Sequence, residues 1–389
     1  MRVIGMISGT SYDGVDAAAL DLTLDGTTLK AVDLGLLSVP MPAALRADIA
    51  AALPPAWSSV EQVCRLDAQL GQLFADVAAR AVAELAGDRA DLIVSHGQTI
   101  FHWVEGGTAR GTLQLGSPAW IAAATGLPVV SDLRSADLAL GGQGAPLVPM
   151  FDDLLILSDA PRRAALNLGG IANLTVRIGD AVIAYDIGPA NALIDAAVTE
   201  LSGGVERMDT DGTRASRGLV RPDLLQALLA EPYYEQVPPK STGKELFHAA
   251  YVAERLAHLD PVRPDDLVAT LTELTAVLVA RTCQQHGVTE MVTAGGGVRN
   301  PVLMGSIREH SAPTIVSTVD DFGISSQAKE ACAFAVLGFL TAHGLPGTIA
   351  GTTGASRPAI LGSITPGKGP LRLPEPATTA PTRMLVTPG

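Results

Sequence analysis

A buried apolar run that breaks into a turn of glycine, serine and threonine and then resumes commits a chain to a strand, a tight turn and a returning strand. This sequence opens on such a unit, Val3-Ile-Gly-Met-Ile-Ser-Gly-Thr-Ser-Tyr-Asp-Gly-Val-Asp16. A related pattern recurs at Ala164-Ala-Leu-Asn-Leu-Gly-Gly-Ile-Ala-Asn-Leu-Thr175. A third glycine turn, Thr293-Ala-Gly-Gly-Gly-Val-Arg-Asn300, follows an apolar run near the end. Backbone N–H groups of a tight glycine turn converge and hold phosphate oxygens without a cation, so Gly9-Thr10-Ser11 and Gly169-Gly170 are candidate cradles. A single turn of this kind is weak evidence, since most are structural. Three at strand ends point to one nucleotide held between two domains.

Residues 2 to 8, 15 to 22 and 28 to 38 read as a three-strand antiparallel meander, its last two runs joined by Asp25-Gly26-Thr27. A helix is predicted over about 58 to 87, with Ser58 and Glu61 as capping box and Leu66, Leu70, Leu73, Phe74 and Val77 at helical spacing. The short strand Leu92–Val94 then runs into Ser95-His-Gly-Gln-Thr99. The same order restarts with runs at 163 to 168, 171 to 178 and 181 to 185 and a helix from about 191 to 202. A helix over about 270 to 286, capped by Thr270 and Glu273 and stopped by Gly287, leads into the strand Met291–Thr293. Ser326 to about Thr341 reads as a further helix, and Ser356 to Ile364 as a run returning to the first domain. Two such meanders followed by helices and parallel strands resemble the duplicated fold of sugar kinases, actin and chaperone ATPases. The expected fold is therefore α/β, with two ribonuclease-H-like (actin/hexokinase-type) domains and a nucleotide cleft between them. The expected boundaries are 1–132 plus 345–365 for the first domain and 133–344 for the second. Six prolines in residues 366–389 predict a mobile tail.

The length of 389 residues and the hydrophobic fraction of 47% fit two cores. A net charge of -13 with no Lys/Arg block argues against nucleic acid as a partner. Cys64, Cys283 and Cys332 are odd in number and far apart, which predicts neither disulfides nor a Cys-based metal site. No leader pattern precedes the first strand and no apolar run reaches bilayer length, so a cytoplasmic protein without membrane contact is expected.

Six motifs stand in order: Ile7-Ser-Gly-Thr-Ser-Tyr-Asp-Gly-Val-Asp16, Ser95-His-Gly-Gln-Thr-Ile100, Gly141-Gly-Gln-Gly-Ala-Pro-Leu-Val-Pro149, Asn167-Leu-Gly-Gly-Ile-Ala-Asn173, Asp186-Ile-Gly-Pro-Ala-Asn191 and Ala294-Gly-Gly-Gly-Val-Arg-Asn-Pro301. Together they closely resemble the bacterial anhydro-N-acetylmuramic acid kinases, from residue 3 to about 365. The resemblance implies an ATP-dependent enzyme that opens a 1,6-anhydro sugar with water and phosphorylates its 6-oxygen, in recycling of cell-wall amino sugars. It also implies magnesium on the ATP and a homodimer.

In the wider superfamily each cradle carries an aspartate near the metal, whereas Ile7 and Asn167 stand in those places here. The loss suits an anhydro sugar, whose 6-oxygen has no proton for a base to remove. The base is needed beside a water instead. Asp186, which follows the run Ala181 to Tyr185, matches the family's catalytic aspartate; the plain alternative is that it caps the helix beginning near Asn191. The resemblance extends the first nucleotide turn over Gly9, Thr10, Ser11, Tyr12, Asp13, Gly14, Val15 and Asp16. Asn167, Gly169 and Gly170 form the second, and Gly295, Gly296, Gly297 and Asn300 the turn that lets adenosine approach the backbone. Direct magnesium ligands are not readable, and Asp13 or Asp16 are candidates for its outer shell. Arg134 is a fork-shaped donor suited to the lactyl carboxylate of N-acetylmuramic acid, against the plain reading of a salt bridge to Asp137. His96, Gln98 and Thr99 are candidate sugar contacts. Glu330 matches a glutamate that the family places near the sugar, against the plain reading of a carboxylate favoured by a helix dipole.

Several positions depart from the family pattern. Ile187 stands where Thr is usual, Ala190 where Gly is usual, Tyr12 where Leu is usual, and Leu133 precedes Arg134 in place of an aromatic. The missing hydroxyl at Ile187 puts substrate preference in question. Competing readings are a kinase for another anhydro sugar such as levoglucosan, and a nucleotide-dependent binding or chaperone-like module.

Overall fold

β1 (Arg2–Ser8), β2 (Gly14–Asp25) and β3 (Thr28–Pro40) form the expected antiparallel meander, in register from Arg2↔Asp21 and from Gly14↔Pro40. These coordinates are a computed structural model that describes residues 1–389 apart from Pro55, Pro161, Pro239, Lys244 and Glu245. β4 (Leu92–Glu105) lies parallel to β1 and folds back on β5 (Thr108–Leu115), while β6 (Val129–Ser131) lies parallel to β4. β12 (Ser363–Thr365) closes one edge against β6, as the returning run predicts. The sheet therefore reads β12-β6-β4-β1-β2-β3, which contains the ribonuclease-H order of a meander extended by parallel strands. In the second unit β7 (Arg163–Leu168), β8 (Ile171–Ile178), β9 (Ala181–Pro189), β10 (Glu290–Ala294) and β11 (Ile315–Thr318) repeat it as β11-β10-β7-β8-β9. Two copies of one topology are thus present, as the sequence predicts.

The compact units are Met1–Ser158 with Gly323–Gly389, and Asp159–Phe322. These boundaries differ from the expected 1–132 plus 345–365 and 133–344, because residues 133–158, the helix Lys329–Ala342 and the tail 366–389 all group with the first unit. Every residue of that helix except Glu330 is buried. It presses so closely on the sheet that a Cβ on Gly5 would lie 2.0 Å from Ala331 O, and one on Gly338 would lie 2.1 Å from Val94 Cγ2. Contacts between residues distant in sequence, not composition, place this segment.

The tail departs from expectation as well. Arg383–Pro388 forms β13, which pairs in parallel with β3 from Arg383↔Thr28 to Pro388↔Asp33. A meander leaves the outer strand with an unpaired row of N–H and C=O groups, and the run Met384-Leu-Val-Thr387 has the side chains that fit such an edge. Six prolines spread over 24 residues rule out a core of their own but leave this stretch free to pair.

Helix ends show where local patterns mislead. The helix Val60–Glu84 is capped by Ser59, whose hydroxyl accepts from Gln62 N at 3.1 Å, and not by Ser58, which donates to Ala52 O. The helix Pro264–His286 begins six residues before Thr270, with proline in its first turn. Thr270 lies inside it and donates to Asp266 O, and Glu273 takes Ser306 and His310 rather than a cap. Gly287 ends it with φ 61°, as expected. Among the described residues, no helix is long and apolar enough to cross a membrane.

Candidate active site

In the first unit the turn after β1 is braced from beneath. Ser8 Oγ, 2% exposed, lies 2.6 Å from Gln98 Oε1 and 2.9 Å from Gly14 O, and Gln98 Nε2 donates to Gly9 O at 3.3 Å. Above this brace Thr10, Ser11 and Asp13 are exposed, Tyr12 adopts φ 42°, and Ser11 Oγ donates to Asp13 Oδ1. Val15 is fully buried in the core, so its side chain is unavailable to a ligand. Gln98, 1% exposed, is hydrogen-bonded to the turn through Ser8 and Gly9. Thr99 is half-buried and accepts from Gln114 Nε2. Asp16 accepts from Ser38 Oγ, and burial raises its carboxyl above the usual range against the effect of that hydroxyl.

His96, Arg134 and Glu330 come together near this turn. Arg134 Nε and Nη2 point at His96 Nε2 at 3.0 and 2.8 Å, and Nη1 donates to Gly144 O at 2.8 Å. Arg134 does not pair with Asp137, contrary to the plain reading. Asp137 accepts from Gly144 N and from Thr353 Oγ1, and so fixes the loop that supplies the Gly144 carbonyl. Burial pulls the Arg134 guanidinium down to about 10, with Glu330 and Asp137 opposing it through space. His96 is 5% exposed; burial first, then the Arg134 charge, holds it down to about 3. Glu330 is the exposed residue of its helix, yet desolvation by the surrounding protein raises its carboxyl. Beside it the buried Lys329 pairs with Asp152 at 2.6 Å.

In the second unit Asn167, Asn173 and Asp186 form one rung across β7, β8 and β9. Asp186 lies within β9 rather than at a strand end. Its Oδ2 accepts from Ser241 Oγ at 2.8 Å and from Thr242 N at 3.0 Å, its N donates to Lys240 O, and its O accepts from Tyr233 Oη. It does not cap the helix Asn191–Leu201, which has no side-chain cap. Gly169 and Gly170 instead give their carbonyls to Ala190 N, Asn191 N and Ala192 N, and Asn191 Nδ2 donates to Leu168 O and Gly169 O.

The third turn is tight against the second. A Cβ on Gly295 would lie 2.6 Å from Asn167 Oδ1, and one on Gly297 would lie 2.7 Å from Leu168 Cβ. A Cβ on Gly296 would meet nothing within 4 Å, so the turn is open on that side. Asn300 is an N-cap, accepting from Val302 N and Leu303 N, so its Oδ1 is not free for a nucleotide. Ile187 is 3% exposed in the second core.

Comparison with known proteins decides the family. The family profile described as anhydro-N-acetylmuramic acid kinase matches residues 1–367. The chain belongs to the anhydro-N-acetylmuramic acid kinase family. The anhydro-N-acetylmuramic acid kinase of Streptomyces coelicolor is 58% identical over 390 residues, covering 100% of both chains. That of Salinibacter ruber is 42% identical, covering 93% of this chain and 95% of its own. Among solved structures, the ADPNP-bound activator of 2-hydroxyisocaproyl-CoA dehydratase from Clostridium difficile matches with a TM-score of 0.42 at 12% identity, covering 86% of this chain and 93% of its own. The chain is accordingly a kinase, a phosphotransferase acting on an anhydro sugar.

The residues that sequence reading missed are those that serve the recognised ones. Ser241 and Thr242 orient Asp186 from a loop 55 and 56 residues away. Their only advance signal is the polar run Lys240-Ser-Thr-Gly243. Lys329 and Asp152 carry no motif at all, beyond the adjacency of Lys329 to Glu330.

Proposed function

We propose that the chain converts 1,6-anhydro-N-acetylmuramic acid, ATP and water into N-acetylmuramic acid 6-phosphate and ADP, with Asp186 as general base. The observation that carries this reading is that the Asp186 carboxylate is not spent on a helix end but is held by Ser241 and Thr242 beside the Asn167–Asn173 rung. The oxygen that receives phosphate is an ether oxygen without a proton, so no base is needed there. Asp186 takes a proton from water as the water oxygen bonds to C1 and the C1–O6 bond breaks. O6 takes the γ-phosphoryl group in line, and ADP leaves.

In the first unit Thr10, Ser11 and the amide of Gly9 are the groups suited to phosphate, and in the second the amides of Gly169 and Gly170 are, with the turn Gly295–Gly297 for the nucleoside. Magnesium would arrive on the phosphate oxygens of ATP, and Asp13 and Asp16 are the carboxylates near the first turn that would face its water shell. Arg134 takes the lactyl carboxylate, and Glu330 positions the sugar. Family membership supports a cytoplasmic homodimer, which sedimentation at micromolar concentration checks.

The deciding experiment is ADP release from Mg-ATP with and without the anhydro sugar, run beside Asp186→Asn. Sugar-dependent release that falls by about 10²–10⁴-fold in the variant is the expected result. Release from the wild-type protein that the sugar does not stimulate overturns the reading.

A further inference from the structure

We propose that His96 is a positioning residue that fixes the Arg134 guanidinium for an anionic substrate without itself neutralising it, and so sets preference for the carboxylate-bearing sugar. The inference rests on the reading of Arg134 as the carboxylate grip. His96 Nδ1 lies 3.0 Å from Gly97 O, where only an N–H is accommodated, and this leaves Nε2 as an acceptor. Nε2 faces two N–H groups of Arg134, and Gly144 O takes a third. Three of the five guanidinium donors are thereby engaged, and two remain for a ligand.

The imidazole is itself held. Its ring lies on Phe334 with centroids 4.7 Å apart, and the backbone beside it is fixed because Gly97 has φ 72° and a Cβ there would lie 2.6 Å from Leu115 O. On the other side Asp137 and Thr353 hold the loop of Gly144. A long cation is thus clamped before any ligand arrives, which lowers the ordering cost of binding.

The chemical type of the clamp matters as much as its geometry. A carboxylate at position 96 would orient Arg134 equally well but would cancel its charge, and a bound carboxylate would then compete with a resident one. A buried neutral imidazole orients without neutralising. Burial and the facing guanidinium keep this ring unprotonated through the physiological range.

The test compares KM and kcat for 1,6-anhydro-N-acetylmuramic acid and for 1,6-anhydro-N-acetylglucosamine, which lacks the lactyl group. The variants are His96→Ala, His96→Gln, His96→Asp and Arg134→Ala, with melting temperature as the folding control. His96→Ala and His96→Asp are expected to raise KM for the muramic sugar by about 10- to 100-fold while leaving KM for the glucosamine sugar within about twofold. His96→Gln, which keeps a neutral acceptor, restores part of the preference and stands in if the alanine variant does not fold. Loss of preference in Arg134→Ala together with full preference in His96→Ala and His96→Asp overturns the role of His96 alone. An equal KM rise for both sugars in the His96 variants places His96 against the shared sugar frame and overturns it too. Unchanged preference in Arg134→Ala removes the carboxylate grip on which the inference stands.

Discussion

Asp186 and Ile187 show how one position decides a residue's part. Asp186 is held by Ser241 and Thr242, whereas its neighbour Ile187, the extra residue between the Asp186↔Asn173 and Gly188↔Ala172 pairs, lies in the core at 3% exposure. The absence of a threonine hydroxyl there is therefore a matter of packing, and the levoglucosan-like alternative gains nothing from it. Ile187→Thr is expected to cost about 1–3 kcal/mol through a buried hydroxyl, with KM for the sugar unchanged; thermal melting and steady-state kinetics check both halves. His96 yields a pH prediction. Its folded-state value of about 3 lies below the ordinary 6.5, so the unfolded chain binds more protons between those values. The stability it contributes is complete above the ordinary value and is lost as pH falls toward the folded one, at up to about 1.4 kcal/mol per pH unit. The raised carboxyl of Glu330 works in the opposite sense, being favoured folded as it gains its proton. Comparing wild type with His96→Gln cancels that shared effect. From pH 6.5 to 5 the wild type should lose about 2 kcal/mol more than the variant in urea titrations, and equal losses would argue against a neutral buried imidazole.

At the scale of elements, β13 is the segment whose presence changes the sheet most. Without it β3 is the outermost strand, with its ladder groups from Thr28 to Asp33 unpaired. Deleting residues 366–389 should lower the melting temperature and promote edge-to-edge association, read by calorimetry and by size exclusion across a concentration series. A monodisperse truncated chain with unchanged melting would make the strand dispensable. Sequence alone made the meanders, the parallel strands and the glycine turns legible, because period-two apolar runs and Gly-rich breaks are local signals. The place of β13 was not legible, since a Pro-rich composition says that a segment lacks its own core but not which edge it joins. The same limit explains Thr270 and Glu273: the capping pattern is local, while their true partners Asp266, Ser306 and His310 follow from helix packing. In the site, motif residues such as Asp186, Arg134 and Glu330 could be named, but the burial of Gln98 and His96 could not. Their burial depends on β1 beside β4 and on the helix Lys329–Ala342, which no motif encodes.

Over the whole molecule, one topology occurs twice, and the family resemblance reads Ile7 in one unit and Asn167 in the other as replacements of a cradle carboxylate. A kinase that must deprotonate a sugar hydroxyl would be impaired by that replacement, whereas one that opens an anhydro bridge is not. The reaction then joins two bond changes at O6, departure from C1 and capture of the phosphoryl group, and the oxygen of water must end on C1. Turnover in ¹⁸O-labelled water, quenched early by borohydride reduction to prevent exchange at the anomeric centre, should place one label on C1 of the sugar product and none in its phosphate. Label in free inorganic phosphate would mean that water attacked phosphorus and that transfer to O6 is not the coupled step. Asp186→Asn should slow C1 labelling and ADP release to the same extent, because a single proton transfer serves both. ADP release that continues in the variant without C1 labelling would separate the two events and assign Asp186 to ring opening alone.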